Sequence, residues 1–162
     1  MPYVLDSPGQ KSLRVGRRSL SGQGYFLTFT THGRERIFAD WASASVMSRL
    51  VSKPENWPGS RLLAWVLMPD HWHGLLVLEP QGNLAKAIGH AKGVTAATFN
   101  RDAGRSGALW ARGFYDRAVR SEAGLRKAAR YLVANPLRAG LVGRIGDYPY
   151  WDAAWLTDDN PL

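Results

Sequence analysis

The sequence predicts a single α+β domain, an antiparallel sheet with helices gathered on one side. Three observations carry this. The apolar runs Arg61–Met68 and His71–Leu78 are separated only by Pro69-Asp70, so the chain must turn tightly and pair with itself antiparallel. Strand-like runs alternate with stretches whose apolar residues recur at helical spacing. Their order is strand, helix, hairpin, helix, strand, helix, with no internal repeat.

Residues 1–23 are polar, rich in Gly and Ser, and carry Lys11, Arg14, Arg17 and Arg18. Such a segment reads as a flexible basic arm, with Arg17 and Arg18 as candidate DNA contacts. The domain proper is expected over 24–152 and a tail over 153–162. Gly24–Thr31 is β-branched and aromatic, the composition of a strand. A helix follows over Asp40–Val51, capped by Asp40 and stopped before Pro54. Arg61–Met68 is continuously apolar, as in a strand covered on both faces. The hairpin returns along His71–Leu78. Asn83 caps a second helix to about Arg101, weakened by Gly89 and Gly93. The second half of Leu109–Arg120 reads as another strand. Ser121 caps a third helix from Glu122 to about Ala134, closed by Asn135-Pro136. This order fits a ferredoxin-like sandwich.

The 162 residues contain no cysteine, which removes disulfides, thiolate nucleophiles and zinc ribbons together. Any metal would sit on nitrogen and oxygen ligands. No stretch approaches the roughly 18 uninterrupted apolar residues of a membrane span. No basic start with an apolar core opens the chain, so a cytoplasmic location is the expectation. Lysine and arginine number 21 against 13 acids, a net charge of +8. A surplus of that size on a small domain favours a polyanionic partner, most often nucleic acid.

In the strand beginning at His71, side chains alternate, so His71 and His73 share one face while Trp72 takes the other. Two imidazoles there can reach one cation. On the third helix, Leu125, Ala128, Ala129, Leu132 and Val133 form a complete apolar stripe. Tyr131 lies about 130° from the centre of that stripe. Lys127 stands one turn before it and Asn135 one turn after. A phenol is a poor nucleophile unless a cation stabilises its oxyanion. Asn135 offers a carboxamide oxygen as a third ligand, and a mixed N/O set suits Mg²⁺ or Mn²⁺. On spacing alone the alternative stands: two half-buried histidines, a surface tyrosine and a helix-capping asparagine.

Three longer segments bear on that choice. Ala64-Trp65-Val66-Leu67-Met68-Pro69-Asp70-His71-Trp72-His73 resembles the HUH segment of the single-tyrosine transposases, A-W-V-x-M-P-N-H-x-H. Gly107-Ala108-Leu109-Trp110-Ala111-Arg112-Gly113-Phe114-Tyr115-Asp116 resembles their G-x-L-W-x-x-x-F-Y-D segment. Tyr131-Leu132-Val133-Ala134-Asn135-Pro136-Leu137-Arg138-Ala139-Gly140-Leu141-Val142 resembles Y-I-x-x-N-P-V-x-A-G-L-V. In order and spacing the chain is similar to the REP-associated tyrosine transposases, relatives of the insertion-sequence transposases.

The resemblance implies that Tyr131 is a nucleophile that attacks single-stranded DNA, leaving a 5′-phosphotyrosine link and a free 3′-hydroxyl. It implies His71, His73 and Asn135 as ligands of a divalent ion, Mg²⁺ or Mn²⁺. Its DNA would be an imperfect hairpin with a short flank, such as a REP-like repeat, bound by a monomer or homodimer. Two positions depart from the pattern. Asp70 stands where asparagine is usual, as an extra metal ligand or simply the end of a turn. Trp72 is unusually bulky and calls for a tightly packed opposite face.

Tyr115 is the rival nucleophile, on a strand face shared with Arg117 and Val119. Lys92, Arg101, Arg105, Arg112, Arg117 and Lys127 are candidate phosphate contacts. Trp110 is a candidate for stacking on an unpaired base, whereas Trp65 reads as core. His32 and His90 read as surface residues. Competing functions are a non-catalytic binder of REP-like hairpins, a hydrolase that activates water, and an RNA-binding domain. The histidine-triad hydrolases need a further histidine where this chain has Leu75.

Overall fold

The computed structural model describes residues 23–154, so the basic arm with Arg17 and Arg18 lies outside the described residues. In chain order the elements are β1 (Gly24–Thr30), α1 (Trp41–Val51), β2 (Ser60–Met68), β3 (His71–Leu78), α2 (Leu84–Ala103), β4 (Tyr115–Val119), α3 (Glu122–Val133), α4 (Asn135–Arg138) and β5 (Trp151–Ala153). The strands form one sheet in the order β4-β1-β3-β2-β5. Every neighbouring pair is antiparallel. The first four strands follow the expected sandwich. Pro69-Asp70 is the two-residue turn between β2 and β3.

Each of the three expected caps is made by the residue the sequence nominates. Asp40 accepts from the Ser43 backbone N–H at 2.9 Å, Asn83 from Lys86 at 3.0 Å and Ser121 from Gly124 at 3.0 Å. Each satisfies one amide that the first helical turn leaves without a partner. At its other end, α2 runs to Ala103 and closes on Gly104, whose φ of 63° suits glycine.

β5 lies outside the elements the sequence predicts, because three residues carry no readable period. Non-local bonds hold this edge. The Leu67 N–H donates to the Tyr150 carbonyl at 2.9 Å, and the Tyr148 hydroxyl donates to the Leu67 carbonyl at 2.6 Å. Both tyrosine rings are buried.

The two faces of the sheet differ. On one, Trp72 is fully buried and stacks between Phe29 (centroids 4.8 Å apart) and Trp57 (5.0 Å). Phe29 meets Trp110 edge-on at 4.7 Å, and Phe38 joins Trp110 to Phe99 of α2. α1 packs against α2 on this side, so the two sandwich helices share one side as expected. A Cβ at Gly74 would overlap the Trp72 ring, so glycine at 74 is what admits the indole. Burying such rings is the main stabilising term of the fold.

The other face carries His71 and His73, with Phe26 and Thr28 of β1 beside them. The C-terminal helix α3 crosses this face. Its Tyr131 lies edge-on to Phe26, and its Leu125 packs so closely on Gly24 that a Cβ there would stand 2.5 Å from Leu125 Cδ2. The tight α1/α2 layer thus fixes the sheet from behind, and the histidines project from a rigid floor.

Candidate active site

The register of β3 sets the site. Thr28 pairs with His73 and Thr30 with His71 on one side, and Val66 and Met68 pair with them on the other. Residues directly opposite in an antiparallel pair point to the same face. The two imidazoles therefore stand together, centroids 4.7 Å apart and nearly perpendicular.

Each ring has one nitrogen already engaged. His71 Nδ1 lies 2.6 Å from Asp70 Oδ1, and Asp70 Oδ2 lies 3.1 Å from Arg34 Nε. His73 Nδ1 lies 2.6 Å from Thr28 Oγ1. On both rings Nδ1 is the nitrogen engaged by a neighbouring side chain. A second partner of this kind fixes ring orientation and tautomer in metal sites. Asp70 thus bridges His71 and Arg34 through its two carboxylate oxygens. The turn beneath is clamped as well, since Thr31 donates to the Asp70 carbonyl from its N–H at 2.9 Å and its hydroxyl at 3.0 Å.

The protonation states agree with that arrangement. The His71 hydrogen bond, helped by the charges of His71 and Arg34, holds the Asp70 carboxyl below its usual range against the opposing effect of burial. His73 is held well below the ordinary imidazole range, first by burial and then by the nearby His71 and Arg138. Its ring is neutral at physiological pH, the form that binds a metal.

Tyr131 sits on α3 over this face. Its ring is 6.3 Å from Phe26, which in turn is 5.6 Å from His73. Phe26 is thus the common floor between the tyrosine and the histidine. α4 follows α3 after the single residue Ala134, whose backbone stays in the helical region, and carries two more side chains. Asn135 donates its amide N–H to the Leu132 carbonyl at 3.1 Å, which leaves its Oδ1 for an incoming group. Arg138 lays its guanidinium 3.8 Å from the centre of the Tyr131 ring and donates to the Tyr131 carbonyl at 2.7 Å. Among the described residues no three His, Cys, Asp or Glu side chains cluster in a metal-binding arrangement.

The candidate DNA contacts divide. Arg117 and Lys127 line a cleft of about 370 Å³ together with Tyr131. Arg112 is exposed in the loop before β4. Lys92 is drawn inward, where its ammonium donates to the Ala111 and Gly113 carbonyls at 2.6 and 2.5 Å and braces that loop. Trp110 corrects the stacking expectation. It is buried, with its indole N–H donated to Thr95 Oγ1 at 3.0 Å, because Phe29 and Phe38 enclose it. Arg101 and Arg105 pair with Asp102 and Glu35. Tyr115 falls on the histidine face opposite Thr28. Sequence reading passed over Phe26, Thr28, Arg34 and Arg138, which reach the site through strand register, the Asp70 ion pair and the contact with the Tyr131 ring.

Against this geometry, the profile of the family described as "Transposase IS200 like" matches residues 19–135, which span both histidines, the tyrosine and the asparagine. The chain belongs to that family. The membership places it among transposase-type, DNA-processing proteins. Among relatives, this IS200-like chain is 26% identical over 145 residues to a Haemophilus influenzae protein assigned as a REP-associated tyrosine transposase, covering 83% of this chain and 82% of that one. It is also 26% identical over 96 residues to the REP-associated tyrosine transposase of Escherichia coli K12, covering 54% and 50%. Its fold matches that of a REP-associated tyrosine transposase solved bound to a REP hairpin. The TM-score is 0.68 at 20% identity, over 90% of this chain and 92% of the other.

Proposed function

We propose that this protein nicks and rejoins single-stranded DNA at hairpin repeats, with Tyr131 as the nucleophile and a divalent ion on His71, His73 and Asn135. The observation that carries the reading is the histidine pair. Both rings are oriented through Nδ1, and they share a face with Tyr131 across Phe26.

The donor set fits Mg²⁺ or Mn²⁺: two imidazole nitrogens and one carboxamide oxygen. Such an ion, when bound, polarises the phosphate and offsets its developing charge. The protein's own groups do the rest. Tyr131 Oη attacks phosphorus, the P–O3′ bond breaks, and a phosphotyrosyl ester to the 5′ side replaces it. The phenolic proton is balanced by the proton gained at the departing 3′-oxygen. One phosphodiester replaces another, so the step is reversible without ATP and can reseal the same or another strand. Arg138 holds the phenol ring, and Asp70 and Thr28 hold the imidazoles. Hairpin DNA is the partner class because the fold is shared with a protein solved on a REP hairpin.

The test is a denaturing gel of purified protein mixed with hairpin DNA carrying single-stranded flanks, with Mg²⁺ or Mn²⁺. A covalent adduct is expected, absent with chelator and absent for Tyr131→Phe and His71→Ala but present for Tyr115→Phe. An adduct retained by Tyr131→Phe overturns the assignment. Hairpin binding with no adduct under either metal makes the protein a non-catalytic binder of the same DNA.

A further inference from the structure

Arg34 holds an unfavourable backbone conformation. Its φ is 56°, in the left-handed region that glycine favours, and it follows Gly33 at 63°. A long side chain stays there only where its surroundings hold it, and such residues gather at functional sites. Here the loop after β1 is tied to the turn that opens the histidine strand. Thr31 donates twice to the Asp70 carbonyl, and the Phe38 N–H donates to the Pro69 carbonyl at 2.9 Å. The Arg34 N–H itself donates to the Thr31 carbonyl at 3.1 Å. This framework delivers the guanidinium to Asp70.

The ion pair uses only part of that group. Arg34 Nε lies 3.1 Å from Asp70 Oδ2, and the side chain is still 47% exposed. Among the described residues, neither Nη nitrogen donates a hydrogen bond. Position then gives the free end a direction. Tyr131 lies over Phe26, His73 is 5.6 Å from Phe26, and His71 is 4.7 Å from His73. Asp70 and Arg34 follow beyond His71. The register of β1 on β3 keeps this order, with Phe26 opposite Leu75, Thr28 opposite His73 and Thr30 opposite His71. Tyr131 and Arg34 therefore stand at opposite ends of the histidine pair. Phosphoryl transfer needs its attacking and leaving oxygens roughly in line, on opposite sides of phosphorus. With Tyr131 attacking from the Phe26 end, the 3′-oxygen departs toward the Asp70 end.

We infer that Arg34 is a catalytic residue that takes the charge developing on the departing 3′-oxygen. The inference rests on the reading of Tyr131 as the nucleophile, and it adds the group at the other end of the reaction. Tyr131 Oη bonds to phosphorus as the P–O3′ bond breaks, and the electron pair of that bond leaves on O3′. Arg34 stays protonated throughout, so it holds the oxyanion by charge-assisted hydrogen bonds from Nη. Water supplies the proton to O3′ and receives the phenolic one. The 3′-hydroxyl held in this way is in place for the return attack that rejoins the strand.

The experiment uses two hairpin DNAs of the same sequence, one with the natural scissile linkage and one with sulfur replacing the bridging 3′-oxygen. A thiolate leaves without help, so a group that serves only the leaving atom no longer matters on the sulfur DNA. On the natural linkage, single-turnover adduct formation is expected to be about 100-fold slower in Arg34→Gln than in wild type. On the sulfur linkage the variant should come within about threefold of wild type, because no oxyanion forms. Arg34→Gly suits the φ of 56°, so it should show the same split and guards against loss of the loop. Arg34→Lys keeps the charge without the planar fork and should recover part of the natural rate. Equal losses on both linkages would mean that Arg34 acts only through Asp70 and His71, and would overturn the inference. Wild-type rates in Arg34→Gln and Arg34→Gly would overturn it too. In either case the wild-type adduct leaves the Tyr131 reading standing. A wild type that forms no adduct with either DNA sinks that reading, and this inference with it.

Discussion

Arg138 sits over the Tyr131 ring, its guanidinium carbon 3.8 Å from the centroid, while the same side chain donates to the Tyr131 backbone carbonyl at 2.7 Å. One residue thus fixes the ring and the peptide of the proposed nucleophile, and it does so from α4, just past the helix that carries the tyrosine. A planar cation on an aromatic face is worth about 0.5–2 kcal/mol, according to how far it is removed from water.

Arg138→Ala is therefore expected to slow adduct formation by about tenfold while changing hairpin affinity much less. Arg138→Lys keeps the charge and loses the stacked plane, so it should fall between. Since Arg138 also helps hold His73 below its ordinary range, the alanine variant lets His73 rise toward that range. Single-turnover rates alongside anisotropy check the split. A loss confined to affinity would place Arg138 in DNA binding instead.

Much of this site is legible in sequence because it is local. Alternation within one strand puts His71 and His73 together, and helical periodicity separates Tyr131 from the stripe that packs. The capping residues Asp40, Asn83 and Ser121 are local signals too. What could not be read is set by partners far along the chain. Thr28 meets His73 only through the β1–β3 register, 45 residues apart. Arg138 is only seven residues past Tyr131, but the reach of its side chain back over the ring is not fixed by spacing. Trp110 resembles a surface aromatic in its basic loop, and only the Phe29–Phe38 cage makes it core.

Asp70 stands where the similar transposases usually carry asparagine, and here its carboxylate links Arg34 to His71. Removing such an orienting partner typically lowers metal affinity about 10–100-fold. Asp70→Ala is expected to weaken Mn²⁺ binding by that order, measured by calorimetry, and Asp70→Asn by a few-fold, because the amide oxygen still accepts from Nδ1–H. Equal affinity in all three proteins would remove the orienting role.

His73 also predicts how the metal-free protein responds to acid. Its folded pKa lies well below its unfolded value, so below about pH 6.5 the unfolded chain takes up a proton that the folded protein does not. Stability therefore falls as pH drops from about 6.5 toward the folded value. Asp70 acts in the same sense further down: its contribution, present above about pH 3.9, is lost as pH falls through its lowered folded pKa. Urea midpoints at pH 8, 7, 6 and 5 should decline below 7, and His73→Gln should flatten that decline. Parallel curves for the two proteins would assign the loss to other groups.

The floor behind the histidines yields the last prediction. Trp72 fills the space over Gly74 and stacks between Phe29 and Trp57. Trp72→Ala should cost about 3–5 kcal/mol, the range for deleting a buried aromatic. Gly74→Ala drives a methyl into the indole, so it should cost about 1–3 kcal/mol or more through overpacking. These losses should not add. With Trp72 already replaced by a smaller apolar residue, as in Trp72→Leu, the methyl at 74 has room, and Gly74→Ala should cost little or help to fill the gap. A double-mutant cycle by urea denaturation measures the coupling. Additive losses would mean that the indole can move aside, and then the strand bearing the two histidines is not held as rigidly from behind as this packing implies.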